Sequence, residues 1–203
     1  MTACTSDGSD SQVEGLCGPA AGSEAGKALR EILETDDFAT EAMQTDERFL
    51  ARFTKDLEQW GGKDSTSPSY LCTFVPAGDD EKKSVVLSYA WSPAEEPQEK
   101  ITKGGGTLYD VNGATGEPGH LGTTLYVTCR MPGELGENAK KAVLRADASL
   151  TVNRGKEVTR ALEERQLSAL YLMTRGVTDA LGCANKPLDK APVVKPVTRG
   201  AAS

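Results

Sequence analysis

AVLRADASLTVN, residues 142–153, decides the fold. Leu144, Ala146, Ala148, Leu150 and Val152 alternate with Arg145, Asp147, Ser149 and Thr151, so a strand here has one apolar face and one polar face. Such a strand belongs to an antiparallel sheet covered on a single side. Its partner precedes it: GTTLYVTCRM (122–131) is rich in β-branched and aromatic residues, and PGELGENAKK (132–141) is a polar hairpin connection.

A similar pair lies upstream. YLCTFV (70–75) and SVVLSYAW (84–91) are joined by PAGDDEKK, and Val85, Leu87, Tyr89 and Trp91 share one face of the second run. Between the hairpins, residues 92–122 concentrate turn chemistry in SPAEEP, KGGGT, VNG and GEPGHLG, with a short strand expected at Thr107 to Val111. Elsewhere the period is helical. Ala28, Leu29, Ile32 and Leu33 form a stripe after the N-cap candidate Ser23, and Phe49, Leu50, Phe53, Leu57 and Trp60 form another between Thr45 and Gly61. A last helix, about 164–181, carries Leu167, Leu170, Tyr171, Val177 and Leu181 and stops at Gly182. Helix, helix, hairpin, loop, hairpin, helix predicts an α+β domain: an antiparallel sheet of two hairpins packed against helices. The boundaries follow: 1–14 a disordered tether of Ser, Asp, Gly and Thr, 15–188 a single domain, and 189–203 an extended, Pro-interrupted tail.

A net charge of -7 over 203 residues disfavours nucleic-acid partners, whose phosphates are bound by clustered Lys and Arg. No run reaches the roughly 18 apolar residues of a membrane-spanning helix, and residues 1–14 hold no apolar signal-peptide core. Neither a metal site nor a cofactor is expected, because the cysteines form no CxxC pair and none sits at zinc spacing with the single histidine, His120.

Cys17 and Cys72 stand 55 residues apart, and Cys129 and Cys183 stand 54 apart. In each half one cysteine lies in a strand and the other at the end of a terminal helix. Four cysteines allow three connectivities, and the matched spacing favours Cys17 with Cys72 and Cys129 with Cys183. The contrasting reading is a cytosolic chain with five reduced thiols. Cys4 is left over. Thr2, Ala3 and Cys4 resemble the last three positions of a bacterial lipobox; its Leu and apolar leader are missing, so the lipobox reading carries the expectation that Met1 is an added initiator, the alternative being a native start. Cys4 is therefore the expected lipid-attachment residue, with the following residues as spacer.

LCG (16–18), YLCTFV, LYVTCR and ALGCANKPL together resemble a group of uncharacterised secreted lipoproteins of actinobacteria. More loosely, the two-disulfide plan is similar to extracellular sensor domains of actinobacterial serine/threonine kinases. That similarity implies ligand or partner binding and carries no site residue over.

Several residues are candidates for chemistry. His120 lies in the turn-rich GEPGHLG without a nucleophile motif, and reads as a solvated loop histidine. Lys103, Gly104 to Gly106 and Thr107 lack phosphate-loop spacing. The pairs Asp36 and Asp37, Asp79 and Asp80, and Glu95 and Glu96 read as solvated charge. Phe74, Tyr89, Trp91 and Tyr126 are either core or the lining of a groove, and Lys186, Lys190 and Lys195 are either a spacer or a contact for anionic wall polymers. The expected function is an extracytoplasmic, lipid-anchored module binding a cell-surface protein or ligand, without catalysis. The alternative is a secreted enzyme acting on cell-wall or extracellular substrate, with its site in the 92–122 loop.

Overall fold

The structure is a computed structural model that describes residues 15–19, 22–78, 83–97, 99, 107–151 and 157–197. Helix α1 (Glu24–Leu33) starts at Ser23, whose side chain accepts from Gly26 N, and α2 (Asp46–Glu58) starts at Thr45, whose side chain accepts from Arg48 N. Strands β1 (Phe38–Ala42), β2 (Ser69–Pro76), β3 (Val85–Pro93), β4 (Tyr109–Val111), β5 (Ala114–Pro118) and β6 (Gly122–Val127) follow in chain order with α2 between the first two. A 3-10 turn (Gly133–Leu135) and the short α3 (Gly136–Ala139) lead into β7 (Ala142–Leu150), α4 (Arg160–Ala180) and β8 (Val194–Pro196).

The eight strands form one sheet in the order β1-β2-β3-β7-β6-β5-β4-β8, and every neighbouring pair is antiparallel. The mixed α+β class is as expected, but the sheet is larger than two hairpins. Three strands, β1, β5 and β8, come from segments whose sequence carries no strand signal. FATEA and VKP are too short to alternate, and ATGEP contains both Gly and Pro. They are strands because a neighbour offers a row of backbone partners. The segment 189–203, expected to be an extended tail, thus contributes a sheet edge through β8.

The β3 and β7 rungs pair Tyr89 with Ala146 and Leu87 with Ala148, and the helices cover the face these residues share. Phe49 meets Tyr89 edge-on at 5.6 Å, and Phe53 stacks on Trp91 at 4.8 Å. The Trp91 indole also donates to the Phe53 carbonyl at 2.9 Å. Leu29 and Ile32 of α1 and Leu170 and Met173 of α4 continue this core over Val85 and Leu150. Leu29, Ile32, Leu33, Phe49, Phe53 and Leu57 of the helical stripes read from sequence are buried here, while Ala28, Leu50 and Trp60 pack at the core's margin.

Helix α4 crosses β5 so closely that glycine is required beneath it. A Cβ on Gly116 would lie 2.5 Å from Leu167 Cδ2 and 3.3 Å from its Cγ, and Leu167 is fully buried with nowhere to go. Gly116→Ala is therefore expected to destabilise by about 1–3 kcal/mol in urea unfolding. A cost below about 0.5 kcal/mol would mean that the helix yields freely.

The opposite face of the sheet carries the polar half of the opening pattern. The Arg145 guanidinium sits 3.0 Å from Asp147, whose carboxylate also accepts from the Thr124 hydroxyl at 2.7 Å. Tyr126 lies across the ladder from Arg145 and donates to Glu96 at 3.1 Å, and the other oxygen of Glu96 accepts from Ser65 at 3.2 Å. Burial, then Glu96, push the Tyr126 phenol well above its ordinary range. Burial alone would lower the Arg145 pKa, but Asp147 and Glu96 help to hold it above the ordinary value.

Tyr109 in β4 donates to Glu163 of α4 at 2.6 Å, and burial first, then that carboxylate, push its phenol up to about 12. Burial raises Tyr89 further still. A phenol whose folded pKa exceeds its unfolded value of 10.0 stabilises fully below pH 10 and loses that contribution as pH rises through about 12. Alkaline unfolding is thus expected above pH 10, with tyrosinate absorbance and loss of circular dichroism rising together. Ionisation of these phenols at pH 10 with the fold intact would contradict it.

Two disulfides fasten the terminal helices to this frame. Cys17 bonds Cys72 in β2, with Cα atoms 5.5 Å apart, and Cys129 after β6 bonds Cys183 beyond α4, with Cα atoms 5.1 Å apart. They fit an oxidising, extracytoplasmic environment. Among the described residues no helix is long and apolar enough to cross a membrane. Cys4 lies outside the described residues.

Candidate functional site

Beyond α4 the chain turns back across the end of the sheet, and each step of the return is tied down. Ala184 N donates to the Arg130 carbonyl at 2.8 Å, directly beside the Cys129–Cys183 bridge. The Asn185 amide works in both directions, accepting from Arg130 N at 2.8 Å and donating to the Thr128 carbonyl at 2.8 Å. Arg175 donates through Nε to the Leu188 carbonyl and through Nη2 to the Lys190 carbonyl at 2.7 Å. Asn112 Nδ2 donates to the Ala191 carbonyl at 2.7 Å, and β8 then pairs with β4. Residues 183–197 are a strap, sewn to the sheet and to α4 along its length.

Asn112 can reach the strap because of the turn that holds it. Asn112 and Gly113 join β4 to β5 with φ of 53° and 89°, the left-handed pair that a two-residue hairpin needs and that Asn-Gly supplies at least cost. Gly113 N donates to Asp110 Oδ1 at 2.9 Å, which closes the turn.

Between strap and sheet lies a cavity of about 300 Å³, lined by Asn112, Gly113, Ala114, Val127, Thr128 and Tyr171 below and by Asn185, Lys186, Pro187, Asp189 and Lys190 above. This is within the size range of small-molecule sites. Val127 and Tyr171 are fully buried beneath it and Ala114 nearly so, the Tyr171 hydroxyl accepting from Asn112 Nδ2 at 3.3 Å, so the surface open to the cavity is mostly polar. Lys186 and Lys190 are both among the lining residues, and neither has an ion-pair partner among the described residues.

The other sequence candidates fall elsewhere. Phe74, Tyr89 and Trp91 are fully buried beneath the helices, so these aromatic strand residues are core and line no groove; Tyr126 is closed off by Glu96 on the far face. His120 is exposed in the turn between β5 and β6. The cavity touches the other end of that hairpin, at Ala114 and Val127, about 13 Å away at strand rise. Asp37 accepts from Phe38 N at 2.9 Å in the turn after α1, and Glu96 belongs to the polar network above. Lys195 faces Asp110 across the β4 and β8 ladder rather than the cavity. Asp79, Asp80, Lys103 and Gly104 to Gly106 lie outside the described residues. Among the described residues no group of three or more His, Cys, Asp or Glu is placed to hold a metal ion.

Asn112, Thr128, Tyr171 and Asn185 were not singled out as site residues. The Asn-Gly turn was a local signal for the first of them. The others converge only through long-range folding. No family model, curated protein or solved structure matches the chain.

Proposed function

We propose that the protein is an extracytoplasmic binding module, lipid-anchored through Cys4, that holds a partner or ligand at the cell surface and performs no catalysis. The observation that carries this reading is the strap cavity, whose roof is fixed by the Cys129–Cys183 bridge and by the side chains of Asn185, Arg175 and Asn112. A pocket held this rigidly loses little entropy when it is filled, which favours affinity. Its lining includes two lysines and two asparagines, residues suited to holding a ligand by charge and hydrogen bonds. The one histidine stands at the other end of the β5 and β6 hairpin. The two disulfides support the location, and the polar spacer after Cys4 supports the anchor.

The test of the anchor uses the gene with its natural upstream sequence, expressed in a host that lipidates such proteins and fed an alkynyl palmitate. The expected result is label in the wild type, none in Cys4→Ala, and a shift of that variant from the membrane to the soluble fraction. An unlabelled wild type, or a variant that stays in the membrane fraction, overturns lipid anchoring through Cys4.

A further inference from the structure

Lys186 stands where the backbone is least suited to a lysine. Its φ is 39°, in the left-handed region that costs a residue with a Cβ about 1–2 kcal/mol and that glycine or asparagine occupies far more readily. Pro187 follows, and a residue before proline is normally driven to extended conformations instead. The conformation is imposed by its neighbours. Cys183 is bonded to Cys129, Lys186 N donates to the Cys183 carbonyl at 3.0 Å, and Asn185 is held by Thr128 and Arg130. For the fold alone, Gly would serve better at 186. What lysine adds is a positive charge on a residue that lines the cavity, four positions along the chain from Lys190, a second lining lysine.

We propose that the strap cavity is a binding site for a small oxyanion ligand, a phosphate or carboxylate group seated between Lys186 and Lys190. This deepens the binding reading above and rests on it. Both cations lack ion-pair partners among the described residues, so an incoming anion displaces no existing salt bridge. Asp189 on the same rim leaves a small net positive charge, enough to orient one anionic group. The chain as a whole carries -7, which repels extended anionic surfaces and favours a small ligand that enters the cavity alone.

The experiment is a titration of the intact, oxidised protein with inorganic phosphate, and separately with acetate, at constant ionic strength. It is followed through the backbone amide shifts of Gly113, Ala114, Thr128 and Lys186. Saturable shifts confined to the cavity are expected for at least one anion. Lys186→Gly is expected to weaken that binding about tenfold or more while leaving the melting temperature unchanged or higher. Lys190→Gln, which does not touch the strained position, should weaken it similarly. Non-saturating shifts spread over the surface overturn the proposal, as does a Lys186→Gly variant that loses stability but keeps its affinity. Glycerol is the neutral arm: saturable cavity shifts with glycerol and none with either anion would overturn the oxyanion while leaving a binding cavity in place. Vesicles of an anionic phospholipid are the last arm, and binding to them without any response to free anion overturns a small ligand.

Discussion

Reduction of both disulfides is expected to unfold the domain at ordinary temperature. Each bridge closes a loop of about 55 residues, and a loop of that length is worth about 4 kcal/mol in the chain-entropy account. The two loops, 17–72 and 129–183, do not overlap, so their contributions add to about 8 kcal/mol. That is comparable with the whole net stability of a typical domain, about 5–15 kcal/mol. Removing one pair, as in Cys17→Ser with Cys72→Ser, should lower Tm by roughly 8–16 °C in a chain of this size. Melting followed by circular dichroism with and without a phosphine reductant checks both expectations. A fall of less than about 4 °C on full reduction would show that burial alone holds the fold. Five free thiols found by mass spectrometry after aerobic purification would remove the framework itself.

Trp91→Ala is the largest single substitution effect expected, about 3–5 kcal/mol. Trp91 is fully buried, stacked on Phe53 at 4.8 Å, and donates its indole N–H to the Phe53 carbonyl. It joins α2 to the centre of the sheet, since β3 pairs on one side with β2 and on the other with β7. Alanine leaves a void between helix and strand that neither can collapse to fill. Trp91→Phe keeps an aromatic ring but loses the hydrogen bond, and should cost about 1–2 kcal/mol. Denaturant unfolding gives both values. Fluorescence gives a second reading, because the chain has two tryptophans and Trp60 is only half-buried. Loss of Trp91 should remove the blue-shifted component of the emission. A cost below 1 kcal/mol for the alanine variant would place the core elsewhere.

Periodicity made the three long helices and the four long strands legible, since Phe49, Phe53 and Leu57, or Leu144, Ala146 and Ala148, announce their buried face locally, whereas the short α3 lies in a segment that reads as a polar connection. It was silent on β1, β5 and β8, whose residues would be loop in isolation and become strand when a neighbour's backbone groups need partners. The cysteine spacing favoured the pairing found in the structure because it recorded a symmetry of the fold, a terminal segment bonded to an inner one in each half. The cavity was hidden for the opposite reason. Its walls come from 112–114, 127–128, 171 and 185–190, and no local pattern says that a Pro-interrupted segment will return to the far end of the sheet. Lys186 and Lys190 were visible as charges. That one of them is held in a left-handed turn was not.

The Cys17–Cys72 bond also sets the path of mechanical load. Tension on the chain ahead of Gly15 meets the bond two residues later and passes straight into β2, which is clamped by β1 and β3. Helix α1, strand β1 and helix α2 lie between the two cysteines in sequence and are bypassed. A domain tugged from its N-terminal end by flow or by a bound partner is thus gripped at the sheet, and its outer elements are not peeled away one after another.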